Sequence, residues 1–181
     1  MHLFLKNSIK PPFPDNLSLI HFGMGCFWGV EKLFWNLTGV WSTAVGYSAG
    51  KTLNPNYNEV CSGTTGHAEV VRVVYNPKII KLDNLLETFW FSHNPTQGMR
   101  QGNDIGTQYR SMILVNNDNE MKIANNSKKK IDILLNNSNY DTSTTEIEIL
   151  KNFYYAEDYH QQYLIKNPNG YCALKGLSLK K

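Results

Sequence analysis

The chain has 181 residues, 41% of them hydrophobic and 12% aromatic, with a net charge of +3. That length supports one domain with a real core, the weak charge comes from scattered lysines and excludes a strongly basic nucleic-acid binder, and no apolar run reaches the ~20 residues of a membrane span. The three cysteines, Cys26, Cys61 and Cys172, are too widely spaced for a secreted disulfide framework, so a reducing, cytoplasmic setting and a monomer are expected.

In chain order, residues 1–17 contain Pro11-Pro12-Phe13-Pro14 and form an expected extended arm. The apolar run Leu17-Ser18-Leu19-Ile20-His21-Phe22 predicts a buried strand ending near Met24. Phe27, Val30, Phe34 and Leu37 then share one helical stripe, which predicts a helix over 27–37. Val40 to Tyr47 predicts a strand, and residues 46–66 a long polar loop. The β-branched stretch His67 to Tyr75 predicts a strand that stops at Asn76-Pro77. Leu82, Leu85, Leu86 and Phe89 predict a helix over 82–92, and a second loop follows over 93–108. Tyr109 to Val115 predicts a strand, Asp118 to Leu135 a polar helix whose Lys128-Lys129-Lys130 faces solvent, Thr145 to Leu150 a strand and Ala156 to Ile165 a short helix. The tail from Asn167 has no period. The first six elements read β-α-β-β-α-β, the order of a ferredoxin-like core within an α+β fold. The expected organisation is an arm (1–17), a catalytic body (18–165) and a tail (166–181).

The chemistry concentrates in Phe22-Gly23-Met24-Gly25-Cys26-Phe27-Trp28-Gly29, where a strand pattern gives way to a helical one. Cys26 therefore falls at a helix N-terminus, where unpaired N–H groups bias a thiol toward thiolate while an apolar pocket opposes the charge and keeps it largely thiol before substrate binds. Glu69 enters an apolar strand; alternation alone leaves it facing either way, and if buried it becomes a neutral acid at pH 7. His67 offers a second partner for Cys26, a Cys–His pair. Tyr57, Tyr109 and Asp104 lie in or beside the two long loops, where site linings are often found. Cys61 reads as a bystander held near a strand. Cys172 sits in a Gly/Asn-rich tail that can move, though spacing does not pair it with Cys26. A zinc site from the three cysteines has no CxxC spacing behind it.

The run Gly25-Cys26-Phe27-Trp28-Gly29 is similar to the signature of the peptide methionine sulfoxide reductase A family. The similarity continues through Thr65-Gly66-His67-Ala68-Glu69-Val70-Val71, through Gly98 to Asp104 with Gly106 to Ser111, through Phe153 to Tyr163, and through Lys166-Asn167-Pro168-Asn169-Gly170-Tyr171-Cys172. The resemblance implies an α/β two-layer sandwich around a mixed sheet. It implies reduction of methionine sulfoxide of the S epimer, with no cofactor and with thioredoxin as reductant. It also implies residue roles: Cys26 as nucleophile, Phe27 and Trp28 as the wall for the sulfoxide methyl group, and Glu69 as the acid. Tyr57 and Tyr109 position the oxygen, Asp104 faces the substrate backbone amide, and Cys172 resolves the oxidised Cys26. Family members with a further cysteine in the tail differ from this chain, whose residues 173–181 have none. A thiol peroxidase with a resolving cysteine is the alternative reading.

Overall fold

The computed structural model describes residues 1–179. Strand β1 (Ser18–Met24) leads into helix α1 (Phe27–Trp35), which buries Phe27, Val30 and Phe34. The helix stops two residues before the expected end, because Leu37 bonds back to Phe34 O in a tighter i to i−3 turn. Strand β2 (Val40–Ser48) follows. The loop expected over 46–66 contains a short helix, α2 (Tyr57–Cys61), with a capping box between Asn56 and Glu59. Next come strand β3 (Ala68–Tyr75) and helix α3 (Leu82–Ser92). The second long loop folds into a two-stranded hairpin, β4 (Arg100–Gln101) and β5 (Asp104–Ile105), and a 3-10 turn over Thr107–Tyr109. Tyr109 thus lies before β6 (Ser111–Val115), not in it. Helix α4 (Asp118–Asn137), β7 (Glu146–Ile149), β8 (Phe153–Tyr155) and α5 (Tyr163–Lys166) complete the chain. The helix expected over 156–165 is confined to α5; a left-handed Gln162 (φ 49°) starts it, and turns occupy 158–162.

The main sheet runs β7-β6-β1-β3-β2-β8. Its central four strands, β6-β1-β3-β2, are antiparallel neighbours in the ferredoxin-like order. The parallel β6–β7 pair makes the sheet mixed. One face packs under α1, α3 and α4, where Phe22 stacks on Phe34 and Phe89 at centroid distances of 4.9 and 5.2 Å. Such pairs add about 0.5–1.5 kcal/mol each beyond area burial. The arm closes the other face: Arg72 donates to Ile9 O at 2.8 Å, and its guanidinium lies over the rings of Phe13, Phe153 and Tyr155. Every residue of β3 is buried, so both of its faces are covered. Alternation therefore gives Glu69 the helix side, with Val71, Val73 and Tyr75. No helix among the described residues is long and apolar enough to cross a membrane.

Candidate active site

The turn from β1 into α1 depends on Gly25, whose φ is +88°. A Cβ there would also lie 2.7 Å from the Gln101 side chain, so the position excludes other residues on two counts. The turn sets Cys26 at the N-cap of α1. β3 brings Glu69 to the same helix end, where the Phe27 N–H donates to its Oε2 at 3.0 Å. Helix α2 supplies Tyr57, β5 supplies Asp104, and the 3-10 turn supplies Tyr109. A cavity of about 250 Å³ is lined by Cys26, Phe27, Trp28, Tyr57, Glu69, Asp104, Tyr109 and Tyr171. Seven of these are residues that the sequence singled out.

At Cys26 the helix terminus and burial oppose one another, as the sequence leads one to expect. The helix terminus does favour thiolate through the Trp28 N–H, but burial and the nearby Glu69 carboxyl outweigh it and push the thiol pKa up. Burial likewise pushes Glu69 up to about 8, against the Phe27 N–H, with the Asp104 charge adding to the rise. At neutral pH the cavity thus holds a thiol and a carboxylic acid. The acid's Oε2 accepts from Phe27, which leaves Oε1 to carry the proton. Burial raises both the Tyr57 and the Tyr109 pKa, so both phenols remain hydrogen-bond donors.

His67 is not a partner for Cys26. Its Nδ1 accepts from the Gly50 N–H at 3.1 Å, and its Nε2 bonds to Thr52 O at 2.8 Å. Both ring nitrogens are spent on holding the loop between β2 and α2. Cys61 is not fixed by a strand either: it is the exposed last residue of α2, one turn along from Tyr57. No group of three or more His, Cys, Asp or Glu side chains among the described residues is placed to hold a metal ion.

Cys172 is exposed and free, and it lies outside the cavity lining. A Cβ built on Gly29, one turn along α1 from Cys26, would meet the Cys172 sulfur at 2.8 Å. The glycine is what lets the tail lie this close to the helix. Leu174, Leu177 and Leu179 pack on the main core and hold the tail in place.

Three groups at the site escaped the sequence reading. His160 is buried among Phe27, Trp28, Tyr57 and Tyr159, with ring centroids 4.2–5.8 Å away. Its Nδ1 accepts from the Trp28 Nε1–H at 3.0 Å, and Trp28 also stacks on Tyr163 at 3.8 Å. Glu157 accepts from the Tyr57 N–H and from the Tyr47 hydroxyl, each at 2.8 Å. The aromatic and polar density of Tyr154 to Tyr163 was the available signal. Tyr171 is the other omission.

A half-buried thiol beside a proton-bearing carboxyl, two phenol donors and an aromatic wall defines a cysteine-dependent oxidoreductase in an α+β fold. The family model described as peptide methionine sulfoxide reductase matches residues 18–181. A peptide methionine sulfoxide reductase MsrA of Rippkaea orientalis is 58% identical over 178 residues, covering 98% of this chain and 82% of the relative. The chain belongs to the peptide methionine sulfoxide reductase family. Among solved structures, methionine sulfoxide reductase A of Corynebacterium diphtheriae superposes with a TM-score of 0.86 at 43% identity, covering 94% of this chain and 83% of that one. Mxr1 of Saccharomyces cerevisiae in reduced form gives 0.85 at 37% identity, with 93% and 95% covered. Mxr1 in complex with Trx2 gives 0.63 at 26% identity, with 96% and 98% covered.

Proposed function

We propose that this protein reduces the S epimer of methionine sulfoxide, free or in proteins, to methionine, as a repair enzyme of the cytoplasm. The observation that carries this reading is the Cys26 thiol and the Glu69 acid meeting at one helix end, beside Phe27 and Trp28. Sulfoxide sulfur is electrophilic, and its oxygen leaves poorly until protonated. Glu69 gives its proton to the oxygen as the Cys26 sulfur bonds to the substrate sulfur, and the Cys26 proton returns to Glu69. The substrate S–O bond and the new Cys26–substrate S–S bond then break as the hydroxyl passes to the Cys26 sulfur. The thioether leaves, reduced by two electrons, and Cys26 remains as sulfenic acid. Phe27 and Trp28 receive the methyl group, the Tyr57 and Tyr109 hydroxyls hold the oxygen, and Asp104 accepts the substrate's backbone N–H. That asymmetry of apolar wall and donors fits one hand at sulfur.

Cys172, carried by the 166–181 tail outside the 18–165 catalytic body, condenses with the sulfenic acid to give a Cys26–Cys172 disulfide and water. A thioredoxin-type dithiol reduces this bond by exchange; the structure of Mxr1 with Trx2 supports that partner class. Incubation with each epimer of a methionine sulfoxide peptide and dithiothreitol, followed by product mass, tests the reading: only the S epimer should yield methionine.

Two outcomes test the arrangement in detail. The Glu69 carboxyl is a useful acid only while protonated, so single-turnover reduction should fall as pH rises through about 8. Glu69→Gln keeps the shape, lacks the proton and should slow that step by a factor on the order of 10²–10⁴ while flattening the profile near pH 8. Wild-type rates in that variant would place the proton donor elsewhere. Gly29→Ala should favour helix α1 by up to about 1 kcal/mol. Its methyl group would nonetheless push against the Cys172 sulfur, so disulfide formation should slow more than sulfoxide reduction does. Rapid quenching with thiol counting measures both steps.

A further inference from the structure

The tail that carries Cys172 also carries a lining residue of the cavity. The Tyr171 hydroxyl donates to Asp104 and lies 3.4 Å from each carboxylate oxygen. A donor equidistant from the two oxygens sits on the bisector of the carboxylate, in front of it, where another N–H would have to arrive. The distance is long for a hydrogen bond from a hydroxyl, so the contact is weak and readily exchanged. Tyr171 is 45% exposed and can swing into solvent without uncovering the core. Cys172, the next residue, rests against Gly29 instead of lining the cavity with Cys26.

We propose that Tyr171 is a latch between the substrate pocket and the resolving tail. It is closed on Asp104 in the reduced enzyme. The backbone N–H of peptide-bound methionine sulfoxide displaces it from that carboxylate, and its release frees Cys172 to approach Cys26. The proposal rests on the assignment of Asp104 to the substrate amide. Its consequence is selectivity in the second step as well as the first. A sulfoxide that carries an amide N–H opens the latch; a small sulfoxide without one oxidises Cys26 but leaves the tail closed. The bond chemistry is that given above: the S–O bond of the sulfenic acid breaks, the S–S bond forms, and water leaves with the Cys172 proton.

Tyr171→Phe keeps the ring and removes the donor. The substrates are N-acetyl-methionine sulfoxide N-methylamide, which has the N–H, and dimethyl sulfoxide, which lacks it. In the variant, the ratio of KM for the amide to KM for dimethyl sulfoxide should fall about threefold, the size of one long, weak hydrogen bond. After oxidation by dimethyl sulfoxide, loss of the Cys172 thiol should be faster in the variant by a similar factor, matching the rate that the amide substrate gives in the wild type. An unchanged or raised KM ratio, or a disulfide rate indifferent to Tyr171→Phe, overturns the latch. Asp104→Asn separates the two layers of the argument. If that variant loses its preference for the amide while Tyr171→Phe changes nothing, the latch alone is wrong. If Asp104→Asn keeps the preference, the assignment of Asp104 falls and the latch with it.

Discussion

Cys26→Ser should abolish methionine sulfoxide reduction with every reductant. The reaction ends with the substrate's oxygen on a protein sulfur, and a serine hydroxyl has no sulfur to receive it. Neither of the other thiols can substitute, since Cys61 and Cys172 are exposed and do not line the cavity. The loss cannot be ascribed to unfolding. Position 26 is the N-cap of α1 and has no side-chain capping bond, and serine is among the best N-cap residues, worth up to ~1 kcal/mol over non-capping side chains. The variant should therefore melt at or above the wild-type temperature while producing no methionine from the S epimer by product mass. Appreciable turnover would sink the assignment of the nucleophile. A wild type that consumes hydrogen peroxide but leaves sulfoxide untouched would favour the peroxidase alternative.

Much of this site was legible in the sequence because it lies at the ends of strongly patterned elements. The apolar strand, two glycines and the helical stripe place Cys26 at the start of α1. The ferredoxin-like order of the first six long elements held for the same reason: each carries a period over many residues. Short elements were hidden, because three residues of β8 or five of α2 are too few to show a period. The helix expected over 156–165 failed to tertiary demands. Gln161 is spent on the β2 backbone at Val45, and Gln162 on the buried Glu31 carboxylate. These contacts override the local preference for helix. The protonation of Cys26 was legible in the sequence only as a competition. A helix terminus can be read from spacing, whereas the burial that outweighs it belongs to the assembled cavity. His160 and Tyr171 could not be assigned, since their meaning lies in what they touch: Trp28 and Asp104, each far away in sequence.

Cys172→Ser should stop thioredoxin-supported turnover while sparing the first. Sulfoxide reduction needs only Cys26 and the cavity, so the variant should release one methionine per enzyme and hold a trappable sulfenic acid. Residues 173–181 contain no cysteine, so no thiol in that stretch can take over. In the wild type the dithiol must attack the Cys26–Cys172 bond directly, and the exposure of Cys172 makes that sulfur reachable. Cys61 is the rival resolver, also exposed and nearer the cavity than its sequence suggested. Tyr57 lines the cavity, whereas Cys61, one turn further along α2, does not. The Cys172 sulfur lies against α1 one turn from Cys26, at a glycine that offers no side chain to pass. Cys61→Ser should accordingly sustain thioredoxin-coupled turnover. Peptide mapping of substrate-oxidised enzyme decides between the two, with a Cys26–Cys172 bond expected; a Cys26–Cys61 bond would exchange the roles of the two thiols.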